Sequence, residues 1–96
     1  MQYSFEWDLQ KELDNFKKHG LMFHTAIEVF ADPNVIHLED TKHSTDEDRY
    51  YAVGKIKTGE VATVRYTTRG KTIRIFGAAI WRKWREFYEN ENTRTK

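Results

Sequence analysis

The chain is 96 residues long, 39% hydrophobic, 15% aromatic and 32% charged, with a formal charge of +1 and no cysteine. That length suits one domain around a single core, and the missing cysteine excludes disulfides, thiolate metal sites and a cysteine nucleophile, which predicts a reducing compartment, the cytoplasm. No segment approaches the ~20 consecutive apolar residues of a membrane span, and residues 1–8 lack a basic stretch followed by an apolar run, so neither membrane insertion nor secretion is expected.

In chain order, residues 3–7 alternate aromatic and polar (Tyr3, Phe5, Trp7 against Ser4, Glu6) and predict a short edge strand. Asp8 suits an N-cap, and Leu9, Leu13 and Phe16 at i, i+4 and i+7 predict a helix that buries those three. Lys17, Lys18 and His19 fall in its last turn, and Gly20 supplies the left-handed stop. A second helix is predicted over 23–31, with Phe23, Ala26, Ile27 and Phe30 inward, ended by Asp32-Pro33. Residues 34–38 predict a strand and the acidic stretch 39–48 a loop.

Alternation returns over 49–57 and again over 61–67, where Ala62, Val64 and Tyr66 face one way and Thr63, Arg65 and Thr67 the other. Gly70 fits a tight hairpin into 72–75, so that Arg65 and Arg74 share a polar face. After Gly77 the period lengthens to that of a helix, with Ile80, Trp81, Trp84, Phe87 and Tyr88 as an apolar stripe beside Arg82, Lys83 and Arg85. The polar segment 89–96 is expected to fray. The order β-α-α-β-β-β-β-α predicts a single α+β domain over 1–96, with a largely antiparallel sheet and helices against one face.

Charge is unevenly spread. Lys55, Lys57, Arg65, Arg69, Lys71, Arg74, Arg82, Lys83 and Arg85 stand against Glu60 alone in 55–85, while 28–48 is acidic. Such runs often only keep a surface solvated; arginines at fixed strand spacing favour a face that attracts phosphates. No two of His19, His24, His37 and His43 stand at helical i, i+4 spacing, and no phosphate-cradling glycine loop or serine nucleophile elbow is present, so no metal or cofactor is expected. Cleavage of RNA by its own 2′-hydroxyl needs a base, cations for the phosphorane charge and an acid, roles that His, Arg and Tyr can fill.

Each candidate has a plainer role beside the chemical one. His19 reads first as a helix-end cation, and Arg49 as a loop anchor for Glu47 or Asp48. Arg65 and Arg74 read equally as a sheet-face ion pair or a phosphate clamp, Tyr88 as part of the helix stripe, and Trp81 as core ahead of a base-stacking platform. From the residues alone the chain is a basic-faced α+β domain directed at RNA, or a non-catalytic module whose basic face docks a nucleic acid or a protein.

An ordered set of residues resembles the BrnT family of ribonuclease toxins from type II toxin-antitoxin systems. It comprises Phe5-Glu6-Trp7-Asp8 with Lys11 and Asn15, Lys18-His19-Gly20, Phe23 with Ala26 and Val29-Phe30, and Asp32-Pro33. It continues with His43-Ser44-Thr45-Asp46-Glu47-Asp48-Arg49-Tyr50, Gly54, and Thr68-Arg69-Gly70 leading to Ile73-Arg74-Ile75. The resemblance implies a RelE-like fold and metal-independent RNA cleavage that arrests translation and growth. It also implies neutralisation by a BrnA-like antitoxin whose ribbon-helix-helix part binds operator DNA. The implied site is His19, Arg49, Arg65 and Arg74, with Arg82 and Tyr88 auxiliary. One departure stands out: many members follow the Arg74-Ile75 position with Ser-Ala-Arg-Lys-Ala, whereas this chain has Ala79 where that arginine falls, and Tyr88 is one residue early.

Overall fold

Helix α1 (Leu9–His19) forms where its caps dictate. Asp8 Oδ1 accepts the N–H groups of Gln10 at 2.8 Å and Lys11 at 3.2 Å. Gly20, at φ 69°, donates to the Phe16 carbonyl at 2.7 Å, a left-handed turn that glycine makes without steric cost. The structure, a computed structural model, describes residues 3–42 and 47–94. His43, Ser44, Thr45 and Asp46, which belong to the expected acidic loop, lie outside the described residues. Helix α2 (Phe23–Ala26) passes directly into a 3-10 segment, Ile27–Ala31, so the helix expected over 23–31 changes its hydrogen-bonding pattern midway.

The strands are β1 (Ser4–Glu6), β2 (Ile36–Glu39), β3 (Tyr50–Lys55), β4 (Val61–Arg69) and β5 (Thr72–Ala79), in sheet order β1-β5-β4-β3-β2. Pairing is antiparallel except that β1 runs parallel to β5 at the edge. Gly70, at φ 63°, makes the β4–β5 turn. The hairpin register moves from Arg65↔Gly77 to Tyr66↔Ile75, so Phe76 is an extra residue in a bulge. The strand therefore continues past Ile75 to Ala79, and helix α3 (Arg82–Arg94) starts only after Ile80 and Trp81. It runs beyond Tyr88 through most of the segment expected to fray.

The α+β class and element order are as expected, with one difference in layering. Phe23, Ala26 and Val29 pack with Ala52, Ala62, Val64, Ile73 and Ile75 on one face, whereas Tyr88 and Trp84 of α3 pack with Val53 and Val61 on the other. The neighbouring pairs Ala52/Val53 and Val61/Ala62 are apolar at successive positions, so both faces of β3 and β4 require cover.

The buried face of α1 is a correction. Leu9, Leu13 and Phe16 are 72%, 50% and 48% exposed, while Glu12 and Asn15 are buried. Asn15 replaces a missing strand neighbour: its Oδ1 accepts from Ala78 N–H at 3.2 Å, and its Nδ2 donates to the carbonyls of Ala78 and Leu21, each at 2.9 Å. The Ala78 groups lie on β5 beyond the reach of three-residue β1, and Leu21 belongs to the connection between α1 and α2. Glu12 accepts from Trp7 Nε1 at 3.0 Å and the His24 N–H at 3.1 Å, with His24 Nδ1 at 3.2 Å. Burial alone would raise this carboxyl, but the His24 and Trp7 hydrogen bonds prevail and hold it below its ordinary range. Two polar side chains thus fix the face that apolar spacing was expected to fix.

Candidate active site

Strand register assembles the site. Tyr51 on β3 stands opposite Arg65 on β4, which stands opposite Gly77 on β5. With Thr63 they occupy the sheet face over which α3 starts. His19 from the end of α1, together with Trp81, Lys83 and Trp84 from the approach to α3, closes a cleft of about 350 Å³ whose lining also includes Asn15, Ala78 and Ala79. Gly77 leaves room for Arg65 to lie on the sheet: a Cβ there would stand 3.0 Å from Arg65 Cζ and Nε and overlap Nη2, so the guanidinium would have to move. The guanidinium lies flat on the glycine.

The Tyr51 phenol is held by the buried Asp40 carboxylate. Burial first, then the Asp40 charge, raises its pKa, with Arg65 offsetting part of the rise. The group stays protonated and acts as a donor. Lys83 places its ammonium 5.1 Å from the Trp81 ring centre and 5.7 Å from that of Trp84, and the His19 ring lies 6.2 Å from Trp81. Beyond the cleft, the Arg49 guanidinium sits 4.5 Å and the Lys11 ammonium 5.7 Å from the Phe76 ring centre. Cations therefore run from Lys11 past Phe76 and Arg49 to Arg65 and Lys83.

Of the residues singled out in the sequence, the structure brings His19 and Arg65 together in the cleft. Arg49 packs on Phe76, next along the chain from Gly77. Arg74 lies on β5 before the bulge, with Nη1 2.5 Å from Glu6 Oε2, a half-buried ion pair. Arg82 is outside the cleft, its side chain 83% exposed and 3.4 Å from Glu86, beside a separate depression that it lines with Arg85. Tyr88 is also outside: buried, it donates to Asp32 Oδ2 at 2.6 Å, and burial with that carboxylate pushes the phenol up to about 12.

Asp32 also accepts from the N–H groups of Asn34 and Lys55, so Tyr88 ties α3 to the end of β3. Trp81, read as core, is 46% exposed because it precedes the helix. The sequence reading missed Tyr51, Thr63, Gly77 and Lys83. The alternation of β3 carried a signal for Tyr51, once paired with Arg65. Among the described residues no three of His, Asp and Glu form a group that could hold a metal ion, and no helix is long and apolar enough to cross a membrane.

A five-stranded, mostly antiparallel sheet that gathers a histidine, a tyrosine and cations in one cleft defines a small α+β domain with a basic cleft on one sheet face. The profile of the family described as "Ribonuclease toxin, BrnT, of type II toxin-antitoxin system" matches residues 7–85, and the chain belongs to that family. Its fold is shared with the crystal structure of the Brucella abortus ribonuclease toxin BrnT, at a TM-score of 0.65 and 22% identity, over 82% of this chain and 96% of that one. No curated protein matches. The resemblance read from the sequence is thus borne out, and membership implies RNA as the substrate class and an antitoxin as partner.

Proposed function

We propose that the chain is a cytoplasmic endoribonuclease that cleaves RNA without a metal ion, arrests translation, and is neutralised by a BrnA-like antitoxin that carries the operator-binding ribbon-helix-helix part. The observation that supports this reading most is the meeting of His19 and Arg65 in one cleft with Tyr51 and Lys83. His19 takes the proton from the 2′-hydroxyl as that oxygen attacks phosphorus, and the imidazolium so formed returns it, directly or through a water, to the leaving 5′-oxygen as the P–O5′ bond breaks, leaving a 2′,3′-cyclic phosphate. Arg65 and Lys83 stabilise the charge that develops on the phosphorane, and Tyr51, whose one O–H is given to Asp40, forms the wall beside Arg65. Arg49 and Arg74 guide the backbone on either side of the bulge, while Arg82 and Tyr88 serve α3 itself.

The test is incubation of the purified chain with cellular RNA in EDTA. Cleavage by the wild type, lost in Arg65→Ala and His19→Ala variants that keep their far-UV spectra, supports the mechanism. Cleavage that appears only on adding Mg²⁺ overturns metal independence. A folded chain that binds RNA but never cuts it supports the binding-module alternative.

A further inference from the structure

We infer that Phe76, the extra residue of the β4–β5 bulge, positions Lys11 and Arg49 as a paired seat for the RNA backbone phosphate next to the one in the cleft; this deepens the ribonuclease reading above and rests on it. Ile75 and Ala78 both belong to the core that holds Phe23 and Ala26, while a Cβ at Gly77 would meet Arg65 on the opposite face of the sheet. Strict alternation would put Ile75 and Ala78 on opposite faces. The extra residue lets both stay in the core, and Phe76 and Gly77 together face the site. The ring therefore stands beside the place where the Arg65 guanidinium lies.

Its two cations come from distant parts of the chain. Lys11 lies in α1 with its ammonium 5.7 Å from the ring centre, and Arg49 directly precedes β3 with its guanidinium at 4.5 Å, both within the ~6 Å reach of a cation–π contact. Lys11 is exposed and Arg49 half-buried. Helix physics does not account for Lys11: it is the third residue of α1, at the end where a positive charge opposes the helix dipole. Ion pairing does not account for it either. Arg69, Arg74, Arg82 and Arg94 each pair with a glutamate, whereas among the described residues Lys11, Arg65 and Lys83 pair with none. Lys11 on Phe76, Arg65 on Gly77 and Lys83 on Trp81 and Trp84 are thus supported without being neutralised, and Arg49 shares the first of those rings. Two cations at one ring repel each other, and a single anion between them relieves that repulsion. Cations held at set places along one face match the repeated charges of a nucleic-acid backbone.

The test uses a fluorescein-labelled 2′-O-methyl RNA hexanucleotide of mixed sequence, which has no 2′-hydroxyl to attack, titrated by anisotropy at several salt concentrations. Phe76→Leu keeps apolar bulk and removes the ring, so it should bind several-fold more weakly, whereas Phe76→Tyr keeps the ring and should bind as the wild type does. Lys11→Gln should weaken binding and make the slope of log Kd against log salt shallower by about 0.7, the share of one single-strand phosphate. The loss from Phe76→Leu should be smaller in a Lys11→Gln chain than in the wild type, because the ring then has one cation fewer to hold. Equal losses in the two backgrounds, a Phe76→Leu affinity equal to the wild type, a Phe76→Tyr as weak as Phe76→Leu, or a wild type that does not bind the probe each overturns the inference. If Phe76→Leu does not fold, Lys11→Gln, a change at an exposed helix position, still decides, since an unchanged salt slope overturns it. Because the probe cannot be cut, failure of the RNA cleavage assay and failure of the phosphate seat are read separately.

Discussion

Gly77→Ala offers a sharp test of how Arg65 is held. The added methyl would stand 3.0 Å from two guanidinium atoms and overlap a third, so the side chain must leave its place on the sheet. Arg65 is exposed and can swing into solvent, so the displacement costs little stability. Alanine in a strand returns roughly 0.5–1 kcal/mol relative to glycine. Stability should therefore change by no more than about 1 kcal/mol in urea unfolding. Activity should fall far more, since losing a group aimed at developing charge costs about 10²–10³ in rate, or about 2.7–4 kcal/mol in barrier. The decisive comparison is the pair Gly77→Ala/Arg65→Ala. If the glycine acts only through the arginine, the double variant cleaves RNA no more slowly than Arg65→Ala alone. Additive losses, or a Gly77→Ala enzyme as fast as the wild type, would refute the reasoning.

Other substitutions separate structure from chemistry. Tyr88→Phe removes a hydrogen bond to ionised Asp32 and should cost about 1.5–3 kcal/mol of stability while leaving cleavage intact below the melting range. A loss of turnover at unchanged stability would return Tyr88 to the site. Asn15→Ala strips the partners from Ala78 N–H and two carbonyls and should cost about 2–4 kcal/mol, seen as a lowered urea midpoint. Acid should unfold the chain through Asp32 and Glu12. Both carboxyls are lowered by folding from 3.8 and 4.5, so their stabilisation is fully present above those values and is lost as pH falls through the lower folded ones. Asp32→Asn or Glu12→Gln should flatten the decline of stability below about pH 4.5, and an unchanged acid slope would show that neither group contributes.

Local signals in the chain were strong at the caps and turns. Asp8, Gly20 and Asp32-Pro33 act as read, because each satisfies backbone groups within a few residues, and Gly70 does so through its left-handed turn between β4 and β5. The paired face of Arg65 and Arg74 was also visible as alternation, though not the bulge at Phe76, which arises from the match between β4 and β5. Helix α1 misled because Leu9, Leu13 and Phe16 have ideal spacing, whereas the burial of Glu12 and Asn15 depends on partners as distant as His24 and Ala78. Of the candidate cleft, His19 and Arg65 were legible in the sequence. Its floor was not: Thr63, Arg65 and Gly77 come to share a face with Tyr51 only after three strands have paired.

The parallel pairing at the sheet edge also sets an order of assembly. Ser4 bonds Thr72 and Glu6 pairs with Arg74, each across 68 residues, so β1 gains its partner only when β5 is in place. Closing so long a loop is slow relative to forming the β4–β5 hairpin, whose contacts are local. Helix α1 hangs from β1 and carries His19, whereas Arg65 belongs to the hairpin. A chain that is half made, or half unfolded, holds its arginines without the histidine beside them, and only the closed seam brings His19 and Arg65 into one cleft.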